Sequence, residues 1–110
     1  MKHKKALKML SALAQETRVN IYKLLVQESK EGLSAGVIAE ILKVPAATLS
    51  FHLTQMTNAG LLKSSKNGRT VMYCAKQKAI KNLASFLTEN SYKKLKEENI
   101  DTSEDANDGD

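Results

Sequence analysis

The fold is decided by one stretch of sequence, PAATLSFHLTQMTNAGLL, which runs from Pro45 to Leu62. Leu49, Leu53 and Met56 recur in it at i, i+4 and i+7, the spacing of an amphipathic helix with one buried face. Gly60 predicts the end of this helix, because glycine adopts the left-handed conformation at little cost. The opposite face carries small and hydrogen-bonding residues, which favours a helix that enters a DNA groove.

A shorter helix is predicted to precede this one across a tight turn. Ser34 is a suitable N-cap for it, and apolar residues follow at helical spacing from Val37 to Leu42. Lys43-Val44-Pro45 ends it, since the residue before a proline avoids the helical conformation and proline suits the first turn of a new helix. Two helices joined in this way predict a helix-turn-helix.

A β-hairpin is predicted from Leu61 to Cys74, where the residue pattern changes to a period of two. Asn67-Gly68 lies at its centre, and an Asn-Gly pair between extended segments is a strong hairpin signal. With a two-residue loop, Lys66 would face Arg69 across the turn. Opposed like charges destabilise a hairpin end, and a phosphate between them would relieve the repulsion.

Three further helices complete the predicted order α-α-α-α-β-β-α. Residues 4–14 have apolar side chains at helical spacing, and Thr17 is a suitable N-cap for a second helix that ends near Glu28. The last helix is predicted to begin near Gln77 and to fray by Lys96. The predicted fold class is therefore mostly α with a small β-hairpin, a winged helix-turn-helix.

Charge is distributed unevenly along the 110 residues. All 17 Lys and Arg lie at or before Lys96 with only five acidic residues, so residues 1–96 carry +12, whereas residues 97–110 carry −7. Such a basic body attracts a polyanion, and solubility alone is the alternative explanation. We expect a DNA-binding and dimerisation domain over 1–96 and a disordered acidic tail over 97–110.

The composition argues against several classes of protein. Lys2-His3-Lys4-Lys5 is followed by an amphipathic pattern, so we expect no signal peptide, no membrane span and a cytoplasmic protein. The single cysteine, Cys74, cannot form an internal disulfide, and we expect it to be a packing residue of a strand. Two histidines and one cysteine supply no nucleophile-base pair or metal triad, which argues against an enzyme.

The exposed face of the helix after Pro45 is predicted to lie in the major groove of DNA. Thr48 and Ser50 suit phosphates or base edges, and Gln55 suits a bidentate contact with adenine. His52 suits a phosphate or a base acceptor, and the alternative is an ordinary exposed polar face. The predicted DNA-binding residues of this helix are Ala46, Ala47, Thr48, Ser50, His52 and Gln55.

The tip of the hairpin, or wing, is predicted to add Lys66, Asn67, Gly68 and Arg69 to the DNA-binding residues. Its charges would contact phosphates or enter the neighbouring minor groove, and a solvated hairpin end is the alternative. Arg18 precedes the buried stripe of the second helix. We therefore favour a structural charge or backbone contact for Arg18 over a DNA contact.

Dimerisation is expected because one helix-turn-helix reads only a few base pairs, whereas a dimer binds two half-sites about 34–36 Å apart. The first helix has a broad apolar face and the last helix also carries large apolar residues, although core packing is the alternative for the first helix. The candidate dimer-interface residues are Leu7, Leu10, Phe86 and Leu87.

Several short motifs between Leu10 and about Asn90 carry a family resemblance. They are Leu13-Ala14-Gln15-Glu16-Thr17-Arg18, Ala35-Gly36-Val37-Ile38-Ala39, Val44-Pro45, Thr48-Leu49-Ser50-Phe51-His52-Leu53, Ala59-Gly60-Leu61, Gly68-Arg69 and Phe86-Leu87-Thr88-Glu89-Asn90. Together they resemble the ArsR/SmtB family of bacterial winged-helix regulators. The resemblance implies a homodimer built from the first and last helices, which represses transcription by binding operator DNA, an inverted repeat, until an inducer binds.

The chain departs from the family at the sensor positions. Similar members often carry a cysteine pair directly after Thr-Glu-Asn, where this chain has Ser91-Tyr92. Residues 39–44, where other members bind metals, contain no cysteine, and the last helix has no Asp-x-His pair for zinc. Soft-metal sites need several thiolates or imidazoles together. We therefore predict no metal site and no cofactor, and the sequence does not identify an inducer.

Two hypotheses about function follow. The first is a dimeric repressor of the ArsR type that a signal releases from its operator. The alternative is a winged-helix interaction or architectural module that lacks inducer sensing and binds DNA non-specifically or an acidic protein partner. The groove-facing residues and Arg69 favour the first, because a pure interaction module need not retain them.

Overall fold

The computed structural model of the protein describes residues 1–28 and 30–89. Within them the helices are α1 (His3–Leu13), α2 (Glu16–Gln27), α3 (Ala35–Leu42), α4 (Ala46–Asn58) and α5 (Gln77–Thr88), and the strands are β1 (Leu33–Ser34), β2 (Leu62–Asn67) and β3 (Thr70–Ala75). This is the predicted winged helix-turn-helix with one short strand added before α3. The predicted fraying near Lys96 and the acidic tail over 97–110 lie outside the described residues.

Helix α2 begins before the residue that was predicted to cap it. The N-cap is Gln15, whose extended backbone precedes Glu16 and whose carbonyl accepts the Val19 N–H at 3.0 Å, so Thr17 lies inside the helix. No side chain caps this end. The Glu16 carboxylate in the first turn instead complements the positive end of the helix dipole.

The turn between α3 and α4 follows the prediction closely. The Ser34 hydroxyl caps α3 by accepting the Val37 N–H at 3.3 Å. Lys43 ends α3 in the left-handed conformation with φ 57°, and Pro45 occupies the N-cap of α4. The two helices are bent by 115° at this break, an angle typical of helix-turn-helix proteins.

The wing has a register different from the one predicted. Asn67 pairs with Thr70 and Lys66 with Val71, so the two-residue loop is Gly68-Arg69 and not Asn67-Gly68. Gly68 has φ 67°, and a glycine at the first loop position is typical of a type II′ turn, which shifts the pairing by one residue. Lys66 and Arg69 therefore do not lie directly opposite each other, contrary to the prediction.

A third strand joins the hairpin and ties it to the helices. Leu33 of β1 pairs with Tyr73 of β3, which gives an antiparallel sheet in the order β1-β3-β2. With two residues, β1 is too short to show the period-two pattern by which strands are found in a sequence. The pairing anchors the base of the wing beside the start of α3.

The core lies between the inner faces of the helices and the start of β2. Its largest fully buried side chains are Met9, Ile21, Ile38, Leu49, Leu53, Met56, Leu61 and Leu62. Gly60, with φ 86°, ends α4 as predicted and lets the chain turn directly into Leu61 and Leu62. Since α4 contributes three of these side chains, its orientation is fixed by the core.

Candidate nucleic-acid interface

The inner face of α4 holds this helix against the rest of the domain. Leu49, Leu53 and Met56 are each 0% exposed, as their spacing predicts. Burying side chains of this size stabilises a fold by about 1.5–3 kcal/mol each. The opposite face of α4 is therefore presented to solvent in a fixed orientation.

Five of the six residues predicted on the outer face of α4 are exposed in the structure. They are Ala46, Ala47, Thr48, Ser50 and Gln55. No residue of α4 between 46 and 58 is Lys, Arg, Asp or Glu. The face is thus a neutral surface of methyl, hydroxyl and amide groups, which can contact base edges but contributes no net charge.

His52 is the exception, and its predicted exposure is wrong. The side chain is buried, and its Nδ1 accepts a hydrogen bond of 2.9 Å from the Arg18 Nε. At about 100° per residue, position 52 lies only about 60° from Leu49 and about 40° from Met56, so helical periodicity could have placed it beside the core. His52 therefore joins α4 to α2 and does not lie on the exposed face of α4.

The Arg18 guanidinium completes this buried link, in line with the structural role favoured for it. Arg18 is 5% exposed, and its Nη1 donates to the Ala12 carbonyl oxygen at 3.1 Å. Burial and the nearby Arg18 charge both lower the pKa of His52, so the neutral imidazole that accepts the hydrogen bond is favoured. The link connects the end of α1, the start of α2 and the middle of α4.

Two residues on the outer face of α4 were missed by the sequence analysis. Phe51 is 58% exposed, and Thr54 is also exposed. Counted at about 100° per residue, Phe51 lies about 15° from the direction opposite to Leu49, Leu53 and Met56, whereas Thr54 and Gln55 lie roughly 50° to either side of it. The signal was present in the spacing, since Ala47, Phe51 and Thr54 follow i, i+4 and i+7.

The wing tip presents its predicted residues to solvent. Lys66, Asn67, Gly68 and Arg69 are all exposed. Lys63 on β2 is exposed as well, and the segment 62–75 contains no Asp or Glu. The wing therefore concentrates positive charge beside the neutral face of α4, the combination that favours phosphate contacts around a site of base reading.

The four candidate dimer residues lie on α1 and α5. Leu7 is 52% exposed and Leu87 is 56% exposed, whereas Leu10 and Phe86 are half-buried. The rings of His3 and Phe86 lie 6.3 Å apart between centroids, which brings the start of α1 close to α5. Two large apolar side chains thus remain uncovered on neighbouring helices.

Cys74 lies half-buried on β3, and its Sγ donates a hydrogen bond to the Lys30 carbonyl oxygen at 3.2 Å.

Among residues 1–28 and 30–89, no group of three His, Cys, Asp or Glu side chains could hold a metal ion.

In the part of the chain that the structure describes, no single helix is long and apolar enough to cross a membrane, although α3 and α4 together, as a bent pair, have the length and composition to do so.

Comparisons with known proteins agree with this geometry. Residues 13–65 match a family model described as a helix-turn-helix domain. An uncharacterized HTH-type transcriptional regulator of Methanocaldococcus jannaschii is 30% identical over 88 residues, 80% of this chain and 97% of the relative. The transcriptional activator HlyU of Vibrio cholerae is 30% identical over 83 residues, 76% of this chain and 74% of the relative.

A solved structure has the same fold. The ArsR-like transcriptional regulator from Rhodococcus sp. RHA1 superposes with a TM-score of 0.69 and 28% sequence identity, over 77% of each chain. The sequence comparisons and the structural comparison therefore agree on one class of protein, the transcriptional regulators with a helix-turn-helix domain.

Proposed function

This chain belongs to the ArsR/SmtB family of winged helix-turn-helix transcriptional regulators, and we propose that it acts as a dimeric repressor that binds an inverted-repeat operator and is released by a signal. The observation that carries the proposal is the pairing of a neutral, exposed reading face on α4 with a basic wing. Such a module needs only to occupy its operator in order to block transcription.

Base reading is assigned to the exposed side chains of α4. Gln55 can form a bidentate contact with adenine, Thr48 and Ser50 can contact base edges or phosphates, and the methyl groups of Ala46 and Ala47 allow close approach. The core residues behind α4 and the Arg18–His52 hydrogen bond prevent the helix from rotating. Rigid presentation of this kind is required if single base pairs are to be distinguished.

Phosphate binding is assigned to the wing. Lys66 and Arg69 flank Asn67 and Gly68 at an exposed tip that lacks acidic neighbours in the hairpin. Contacts of this type add affinity that depends on salt but not on base sequence. The wing would therefore hold the protein on the duplex while α4 selects the site.

Dimerisation is assigned to the surface formed by Leu7, Leu10, Phe86 and Leu87. A two-fold dimer buries the same patch from both subunits, and two uncovered leucines on neighbouring helices suit such a self-complementary contact. The two-fold axis would place two α4 helices in successive major grooves, about 34–36 Å apart. An inverted-repeat operator follows from that symmetry.

Selection of bound sequences from a random duplex pool, with the mass of the complex measured alongside, tests the proposal. We expect an enriched inverted repeat bound by two chains, and Leu87→Glu should give a folded monomer with weak operator binding. Transcription in vitro from a promoter that overlaps the repeat should then fall when the protein is added.

Two other outcomes would contradict the proposal. Salt-sensitive binding without sequence enrichment would support the architectural alternative. Enrichment accompanied by increased transcription would keep the DNA-binding function and replace repression by activation, the role named for the Vibrio cholerae relative.

A further inference from the structure

The large apolar side chain that α4 exposes to solvent is an aromatic ring. Phe51 is 58% exposed although it lies one residue before the buried His52 and two before the fully buried Leu53. Exposing a ring of this size to water is unfavourable by itself, since burying a Phe side chain stabilises by roughly 1.5–3 kcal/mol. The ring lies at the centre of the proposed reading face, where a duplex would cover it.

The ring is held in place from the side of α2. The Arg18 Cζ lies 5.9 Å from the centroid of the Phe51 ring, within the range of a cation–π contact. The His52 ring lies 6.3 Å away, tilted by 56°. Because Arg18 and His52 are both buried and hydrogen-bonded to each other, they form a fixed support for one side of the ring.

The neighbours of Phe51 on the helix surface define what the ring can recognise. Ala47 and Thr54, at i−4 and i+3, add methyl groups, and Gln55 lies at i+4. Since α4 has no charged residue between 46 and 58, the part of this face around Phe51 is better suited to base edges than to phosphates. Ala, Thr and Phe side chains are those that contact the C5-methyl group of thymine in the major groove.

We propose that Phe51 is a specificity-determining residue that packs its supported ring on a thymine C5-methyl group in each operator half-site. The proposal rests on the function proposed above and adds the identity of one base. Side chains at i and i+4 are separated by about 5–6 Å at Cβ, and base pairs rise by about 3.4 Å. The thymine should therefore lie within about two base pairs of the adenine read by Gln55.

Replacement of single thymines by uracil in the selected duplex tests the proposal, because uracil removes the methyl group and keeps the base pair. For the unmodified protein we expect about four-fold weaker binding at one thymine of each half-site, the effect of one buried methyl group. Phe51→Ala should bind the thymine and uracil duplexes equally. Phe51→Leu, which keeps an apolar side chain, should retain part of the preference.

The matched control is Val26→Ala, which truncates another exposed apolar side chain, 38% exposed on α2 and away from α4. It should keep the full four-fold preference for thymine. The thymine whose replacement by uracil weakens binding should also lie within two base pairs of the position at which Gln55→Ala no longer distinguishes the bases.

Four results would overturn the proposal. The unmodified protein could bind the thymine duplex and all uracil duplexes equally, or Phe51→Ala could keep the full preference for thymine. Either result would contradict this role of Phe51 without contradicting the repressor function. A change in oligomeric state on Phe51→Ala would show that a second chain covers the ring. If the random pool yields no enriched sequence, the proposed function fails together with this inference.

Discussion

Helix α4 and the wing lie side by side on the proposed DNA-binding surface but are built in opposite ways. Helix α4 has three fully buried side chains, a buried hydrogen bond to α2 and no charged residue between 46 and 58. The tip of the wing is exposed to solvent and carries the cations Lys66 and Arg69. No acidic residue lies in the hairpin between 62 and 75. On the proposed surface this difference predicts separate roles, in which the fixed neutral groups of α4 would select bases and the exposed charges of the wing would add affinity.

The largest effect should come from the buried side of α4. Leu53→Ala removes a fully buried side chain and should lower the free energy of unfolding by about 2–5 kcal/mol, as measured by urea denaturation. The neighbouring Phe51→Ala changes an exposed ring and should cost about 1 kcal/mol or less. Equal losses of unfolding free energy in the two variants would show that α4 is not anchored through Leu49, Leu53 and Met56.

The second-largest loss of unfolding free energy should come from removing the hydrogen bond between Arg18 and His52. Arg18→Met keeps an apolar stem but leaves the His52 Nδ1 and the Ala12 carbonyl without their donor, so we expect a loss of about 1–3 kcal/mol in unfolding free energy. His52→Leu and the double variant complete a mutant cycle. The two single losses should add to more than the loss in the double variant, and simple additivity would mean that the pair is not coupled.

On the DNA-binding side, Gln55→Ala should lose about 1–3 kcal/mol of binding free energy at one position of each half-site. The reason is that a bidentate contact with adenine distinguishes only the base pair that it touches. Binding to duplexes with every substitution at each position measures the effect. An equal loss on all sequences would count against base reading by this amide.

Substitutions in the wing should weaken DNA binding regardless of base sequence, unlike Gln55→Ala. Arg69→Ala should weaken binding to operator and random DNA by the same factor and reduce the slope of log affinity against log salt concentration by about one. Lys66→Ala removes a second cation beside the same turn, and it should reduce the affinity and the salt slope in the same way as Arg69→Ala. Unchanged affinity at several salt concentrations would remove the wing tip from the interface.

The smallest effect concerns pH. The pKa of His52 is lowered in the folded protein by burial and by Arg18, so the unfolded chain binds the proton more tightly. The contribution of His52 to stability is complete above its unfolded pKa of about 6.5 and is lost as the pH falls towards the folded pKa. Urea midpoints of the unmodified protein should fall between pH 7 and 5 more steeply than those of His52→Asn.

The helix-turn-helix, the wing and most of the exposed face of α4 can be predicted from the amino-acid sequence. These features depend on local signals: apolar spacing in α4, the break at Pro45, the cap at Ser34 and the glycine at Gly60. Each signal acts over a few residues, because helix periodicity, capping and turn conformation are set by neighbours in the chain. The exposed positions of α4 followed from the same periodicity.

The features that join distant residues depend on the packing of the folded chain. Arg18 and His52 are 34 positions apart, and their hydrogen bond turned a predicted DNA-contacting histidine into a buried acceptor. Strand β1 exists through its pairing with β3, and the turn at Gly68 fixed a register that the Asn-Gly pair did not specify. Contacts of this kind arise when the core brings the elements together, and no pattern of neighbouring residues encodes them.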